Sequence, residues 1–348
     1  MIIALKLRLP VSFIVRRTIF KQFCGGESIQ ECSSTVETLG KYKVGTILDY
    51  SVEGKVEEED FDQTTNIIIE TIEKAAQEKN IPFAVFKITG ISKFSLLEKA
   101  SIDLNQLSTE EASELNKVKN RIDRVCSAAK KKNVPVFIDA EETWVQDIID
   151  QWAFEMMVLY NKEKCIVYNT IQMYRHDRLV FLKECNEKAK QSNISYGIKL
   201  VRGAYMEKER KRADEMGYPS PIQPDKESTD RDYDIALDYI LKNINYLSLV
   251  AGTHNENSSK KLALALENHN ISKDDSRIFF AQLLGMSDHI SFNLADHNYN
   301  VAKYVPFGPI KEVMPYLLRR ADENTSVAGQ TGRELGLIKL ELLSRKAN

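Results

Sequence analysis

The richest cluster of chemistry-bearing side chains lies near the C-terminus, in the segment 304–326. Arg319 and Arg320 are adjacent, and Glu323 follows four residues after the first and three after the second. On a helix that spacing lets one carboxylate reach either guanidinium. Two neighbouring arginines present planar forks of donors, the geometry that suits a carboxylate ligand. A solvated basic patch on a surface helix would use the same residues. The segment opens on Tyr304-Val305-Pro306-Phe307-Gly308-Pro309, a rigid turn that sets the helix at a fixed angle to what precedes it.

Further polar residues close a series of apolar runs. Asp49 ends the first run, which leads to Glu53; Lys87 ends the second, and Asp139-Ala140-Glu141-Glu142 the third. Asn169 and Gln172 follow the fourth, Lys199 and Arg202 belong to the fifth, and Thr253-His254-Asn255 end the sixth. Gln282 belongs to the seventh run, and Lys303 and Tyr304 to the eighth. An unpaired buried ammonium is costly, so Lys87 requires a counter-charge, and Asp139 one run further on is the candidate. A lysine in such a place is also what a Schiff-base aldolase would use. No second His or Cys stands at ligand spacing from His254, so a metal site is not expected and Thr-His-Asn reads as hydrogen-bonding groups.

These residues need a frame that brings eight chain segments to one place. The apolar runs fall at 46–50, 83–88, 134–138, 165–168, 196–201, 247–251, 277–281 and 301–305, rich in Val, Ile, Phe and Tyr, as fully buried parallel strands are. Amphipathic helices lie between them. Ser108 and Glu111 form a capping box ahead of Leu115, Val118, Ile122, Val125 and Ala129. Asn80-Ile81-Pro82 and Asn133-Val134-Pro135 each stop a helix and launch a strand. Eight strands alternating with helices predict a closed (β/α)8 TIM barrel, whose site lies at the C-terminal strand ends. No GxGxxG occurs, so a dinucleotide-binding Rossmann unit is not supported. Residues 1–40 are expected to form a helical segment packed on the barrel, residues 41–348 the barrel itself, with the last helix over its mouth. The proline-rich stretch 216–231 suggests a lid or surface excursion.

Bulk composition excludes other classes. The 348 residues are 43% hydrophobic and 28% charged with a net charge of −2, so nothing points to nucleic acid. Five scattered cysteines with no CxxC pair fit a reducing compartment. Residues 1–23 are apolar but carry Lys6, Arg8, Arg16, Arg17 and Lys21 and no acid, which suits a mitochondrial transit peptide or a first core helix equally well. The stretch 335–343 is amphipathic enough to rest on a membrane or to cap the barrel.

Taken in order and spacing, these motifs resemble the proline dehydrogenase family, its stand-alone monofunctional members above all. The match runs through Asp139-Ala140-Glu141-Glu142, Asn169 to Gln172, Lys199-Leu200-Val201-Arg202-Gly203-Ala204-Tyr205, Thr253-His254-Asn255, Gln282 to Met286, Tyr304 to Gly308 and Tyr316 to Asn324. The resemblance implies FAD-dependent oxidation of L-proline to 1-pyrroline-5-carboxylate, with electrons passed to membrane quinone and a possible peripheral contact with the membrane. It implies a non-covalent FAD held by Gln172, Lys199, Val201, Arg202, Gly203, Thr253, His254, Asn255, Gln282, Arg320 and Glu323. It implies a Lys87–Asp139 ion pair beneath the substrate and a gate between Glu53 and Arg319. A proline would have its carboxylate clamped by Arg319 and Arg320, Tyr304 on its ring and Leu284 closing the apolar side.

One position departs from many bacterial members, which carry arginine where this chain has Lys199; lysine keeps the charge and loses the bidentate fork. The implied location is the bacterial cytoplasm, peripheral at the inner membrane, or the mitochondrial matrix. Alternatives from other classes are hydroxyproline dehydrogenase, which the bulk of Tyr304 disfavours, an aldolase using Lys87, and a non-catalytic sensor barrel.

Overall fold

The computed structural model describes residues 16–52, 57–326, 336, 339 and 342–345. Eight strands form a closed, all-parallel barrel in chain order. They are β1 Val44–Tyr50, β2 Phe83–Phe86, β3 Val136–Ile138, β4 Val167–Gln172, β5 Tyr196–Val201, β6 Leu247–Gly252, β7 Ile278–Leu283 and β8 Val301–Phe307. The seam between β1 and β8 runs the full length of both, from Val44 opposite Val301 to Tyr50 opposite Phe307. Each strand is buried on both faces, which is why the sequence shows continuous apolar runs and no alternation.

Helices fill the outer layer: α1 Ser33–Lys41, α2 Glu58–Gln77, α3 Phe94–Ile102, α4 Thr109–Lys132, α5 Thr143–Tyr160, α6 Arg178–Ser192, α7 Met206–Met216, α8 Lys226–Lys242, α9 Glu256–Asn268, α10 Asp288–Asp296 and α11 Ile310–Ser326. The capping box at Ser108 and Glu111 starts α4, and Asn133 ends it in a left-handed conformation (φ 56°). Asn193 ends α6 in the same way (φ 49°). Asparagine tolerates that conformation, so each helix stops sharply and turns into the next strand. The short helical turns Arg16–Phe20 and Lys21–Phe23 bring Phe20, Phe23 and Cys24 against Met286, Val313, Tyr316 and Leu317. The chain's beginning thereby braces α11 beside the barrel mouth.

Strand boundaries differ from expectation in instructive places. Pairing in β4 continues through Asn169, Thr170 and Gln172, which the sequence reading placed after the strand. Their buried polar atoms are met one by one: Asn169 Nδ2 donates to Asp150 (2.7 Å), Thr170 Oγ1 to the Ile138 carbonyl (2.9 Å) and Gln172 Nε2 to the Glu141 carbonyl (2.8 Å). Conversely β2 ends at Phe86, so Lys87 stands one residue beyond the ladder. The stretch 216–231 is no open excursion. The Ile222 bridge to Arg175 and the bond from Gln223 N to Tyr174 O (2.7 Å) tie it down, and α8 begins at Lys226.

Inside the barrel an aromatic stack rises toward the C-terminal end. Phe83 lies on Phe137 (4.6 Å between centroids), and Phe137 is parallel to Tyr304 (6.3 Å, 10°). Phe279 meets Phe83 edge-on at 4.8 Å. Because Tyr304 rests on this stack, Phe137→Ala should cost about 3–5 kcal/mol and lower the urea midpoint, with Phe137→Leu losing well under half as much.

Candidate active site

The strand ends converge on a cavity of about 710 Å³ lined by residues from all eight strands or the loops that follow them, and by α11. That volume lies within the roughly 300–1,000 Å³ range of small-molecule sites. At its floor Asp139 takes two lysines. Lys87 Nζ is 3.1 Å from Asp139 Oδ2 and 3.8 Å from Asp49, and Lys199 Nζ bonds to Asp139 Oδ1. The Tyr304 hydroxyl accepts from Lys199 (2.7 Å) and donates to Asp139 (3.2 Å). The Lys199 ammonium also lies 4.4 Å from the centre of the Tyr304 ring.

Protonation follows from this packing. Burial alone would depress the Lys87 ammonium, but Asp49 and Asp139 outweigh it and hold its pKa well above the ordinary lysine value. Burial would raise Asp139, yet Lys199 and Lys87 pull it below the ordinary carboxylate range. Lys199 falls below the usual lysine value through burial, despite its bond to Asp139, and the charge of Lys87 adds to the fall. Burial, then Asp139 and Asp49, push the Tyr304 phenol well up, so it is a donor at neutral pH. His254 is driven down to about 3 by burial and by Lys303, Arg320 and Arg202. A neutral imidazole therefore faces the cavity, with Nδ1 3.0 Å from Ser287 Oγ.

The register of the sheet explains how Lys87 meets Asp139. In the β2–β3 ladder Ala84 pairs with Val136, Val85 with Phe137 and Phe86 with Ile138. The same offset continues past the strands through side chains. Lys87 bonds Asp139, and Thr89 donates to Glu141 from its backbone N–H (3.0 Å) and its hydroxyl. Glu141 is itself anchored, its N–H donating to Gln146 Oε1 (2.8 Å), whose Nε2 donates to Asp150 (2.8 Å). Helix α7 closes over this loop. The Glu209 carboxylate accepts from the backbone N–H and hydroxyl of Thr143 (both 2.7 Å), and Lys208 pairs with Glu142.

Of the residues singled out in the sequence, Lys87, Asp139, Gln172, Lys199, Val201, Arg202, Gly203, Thr253, His254, Asn255, Gln282, Tyr304, Arg319 and Arg320 all line the cavity. Leu284 does not. Side chains alternate along β7, so Ala281 and Leu283 face the barrel interior while Leu284 packs in the outer layer. Leu283 takes the apolar position expected of Leu284. Glu53 and the Glu323 side chain lie outside the described residues, and with them the expected gate and the Glu323 bridge. Lys303, grouped with the mouth residues by sequence, points outward behind β8.

Sequence reasoning gave no role to Asp49, Tyr205 or Tyr316, which also line the cavity. Ring order would have indicated Asp49, since β1 and β2 are neighbours and Asp49 closes the first as Lys87 follows the second. Tyr316 stands three residues before Arg319 on the same helix face. Its buried hydroxyl meets no protein partner among the described residues, which leaves a donor aimed at a ligand.

The residues present fit a flavin. Arg202 is fixed by Asp230 (2.6 Å), Thr253 (2.6 Å) and Ser258 (2.9 Å), and keeps two of its five donors in hand. Gln282 is held between the Thr253 carbonyl (3.1 Å) and Ser291 Oγ (2.9 Å). Lys199, Arg202 and Gln282 all line the cavity, where they offer positive charge and donors to a large polar ligand.

Glu141 offers a pH handle. Burial raises its carboxyl to about 7 against the donors on Thr89. A folded-state pKa raised above the unfolded value gives stability that is complete below about pH 4.5 and is lost as pH rises through about 7. Glu141→Gln should therefore abolish a decline of order 1–3 kcal/mol between pH 4.5 and 8, read as the difference between the two stability–pH curves.

Comparison with known proteins completes the account. A sequence profile described as proline dehydrogenase matches residues 32–333. Mitochondrial proline dehydrogenase 1 of Dictyostelium discoideum is 34% identical to this chain, across 97% of this chain and 66% of its own length. The carbapenem biosynthesis protein CarD of Pectobacterium carotovorum is 33% identical, across 93% and 83% respectively. Among solved structures, proline utilization A from Bdellovibrio bacteriovorus, inactivated by N-propargylglycine, superposes with a TM-score of 0.81 at 23% identity over 90% of this chain and 34% of that one. The barrel, its strand-end motifs and these matches agree: the chain belongs to the proline dehydrogenase family.

Proposed function

We propose that this chain oxidises L-proline to 1-pyrroline-5-carboxylate with a non-covalently bound FAD. The observation that carries the reading is the Asp139 cluster, with Lys87, Lys199 and Tyr304 at the floor of a cavity that Arg319 and Arg320 also line. Arg319 and Arg320 take the substrate carboxylate, each offering the fork that a carboxylate accepts. Tyr304 packs against the pyrrolidine ring, its own hydroxyl bound to Lys199 and Asp139. Leu283 closes the apolar side. The cations that line the cavity, Lys87, Lys199, Arg202, Lys226, Arg319 and Arg320, disfavour a further one, so the bound amine loses its proton to solvent and presents a neutral nitrogen. Lys87 stays charged against Asp49 and Asp139 and fixes the floor on which the ring rests. When bound, the flavin supplies the acceptor for the hydride leaving C5. Gln172, Lys199, Val201, Arg202, Gly203, Thr253, His254, Asn255, Gln282 and Arg320 would hold that cofactor, with Lys199 as the cation beside it.

Electrons then pass to a membrane quinone. Among the described residues no helix is long and apolar enough to cross a membrane, and we propose a peripheral contact with it. Of the two locations the sequence allows, a mitochondrial one is supported by the Dictyostelium relative's name, and within the mitochondrion we propose the matrix. We further propose that residues 1–40 act as a brace on the barrel formed by 41–348.

The Tyr304 hydroxyl already has two protein partners, so a 4-hydroxyl on the ring would find little there. Turnover on trans-4-hydroxyproline should accordingly fall well below that on proline. Purified protein should carry a flavin spectrum that L-proline bleaches without oxygen; protein that takes up no FAD would sink the reading. Arg319→Met should raise KM for proline by roughly 10²-fold while FAD content changes less than about twofold. An equal loss of both would reverse the assignment of the two arginines.

A further inference from the structure

Lys303 is the most deeply buried lysine at this end of the barrel, at 1% exposure, and the reaction as derived does not use it. Alternation along β8 explains why. Tyr304 and Ala302 face the interior, while Val301, Val305 and Phe307 join the outer layer, and Lys303 points outward with them. An ammonium there must be met by acceptors. Three are printed into the fold at close range: the carbonyls of Met286 (2.8 Å) and Leu283 (3.2 Å) and the carboxylate of Asp288 (2.7 Å). All three lie on one short connection, from the last residue of β7 through Met286 to the first residue of α10.

That turn is strained. Gly285 has φ 74° and Ser287 has φ 52°, so two of its residues are left-handed and one of them is not glycine. Such a conformation persists only where surroundings over-determine it, and it clusters at functional sites. A side chain at Gly285 would stand 2.3 Å from the Gln22 carbonyl, so the braced N-terminal segment closes the turn from outside. The product of the strain is the hydroxyl of Ser287, placed 3.0 Å from His254 Nδ1, and the same turn carries Leu283 and Met286 into the cavity lining.

We propose that Lys303 is a positioning residue: from behind the sheet it pins the β7–α10 turn so that Ser287 fixes the orientation and tautomer of His254 at the cavity. Ser287 from that turn meets His254 Nδ1, and the charges of Lys303 from β8, Arg320 from α11 and Arg202 from the loop after β5 act on the ring. All the cations among them act against protonation of the ring. The imidazole is thereby kept as a neutral donor or acceptor of fixed direction. The link to cofactor affinity rests on the flavin reading above; the link to His254 does not.

The full chain, labelled with 15N at histidine, allows both to be measured, with the ring followed in FAD-free protein and FAD affinity separately. In Lys303→Met the His254 ring pKa should rise by about one unit or more, and the Kd for FAD should rise roughly tenfold. Lys303→Arg should keep the low ring pKa, because the charge remains. An unaltered His254 tautomer pattern in Lys303→Met overturns the proposal. Should that variant fail to fold, Ser287→Ala decides on its own: the ring should pass from one tautomer to a mixture, and an unaltered tautomer pattern overturns the proposal. Failure of the unmodified chain to take up FAD would count against the flavin reading and would leave the ring result to stand or fall by itself.

Discussion

The site depends on one carboxylate. Asp139 is buried and stands between two ammonium groups and a phenol, with Lys87 on one oxygen and Lys199 and Tyr304 on the other. Lys199 takes its counter-charge from it, and Lys87 shares it with Asp49 at 3.8 Å, because an ammonium stripped of water needs a carboxylate close by. Asp139 in turn stays ionised only because both lysines are close. Each of the three groups therefore fixes the position and charge of the others. Tyr304 completes the arrangement from the opposite side of the barrel.

A cluster this tight tolerates little movement, and the surrounding loops are built accordingly. The β2–β3 register continues beyond its backbone ladder as Lys87 to Asp139 and Thr89 to Glu141, so the two loops advance in step as if the strands had not ended. Behind Glu141, Gln146 leads to Asp150, which also accepts from Asn169 and from Arg178 at 2.7 Å. That buried network ties the β3 loop to α5, β4 and α6. Buried polar networks of this kind favour one arrangement over others. On the other flank, Glu209 on α7 holds the first residue of α5, which carries the β5 loop across the β3 loop.

Charge is distributed with the same economy. Arg202 is neutralised by Asp230 and serves to fix Thr253 and Ser258. Lys303 is neutralised behind the sheet. Arg319 and Arg320 line the mouth with Lys199, and His254 is held neutral among these cations. Strand β8 shows the division of labour over two consecutive residues: Tyr304 enters the cavity, and Lys303 secures the turn beside it from the reverse face.

Much of this was legible in the sequence because parallel barrel strands are apolar along their whole length, which makes eight runs visible, and because polar residues at their ends have few structural uses. The barrel, the capping of α4 at Ser108 and Asn133, and the gathering of Lys87, Asp139, Lys199 and Tyr304 followed from those two facts. What the sequence could not decide was direction. Whether Leu283 or Leu284 enters the cavity, and that Lys303 turns away while Tyr304 turns in, depends on where each strand's two-residue alternation starts, and that is set by pairing with neighbours far away in the chain. The length of β4 was equally hidden, since Asn169, Thr170 and Gln172 are strand residues only because partners on other elements satisfy them. The residue types chose the chemistry; the closed sheet, by fixing register and facing, decided which of them carry it.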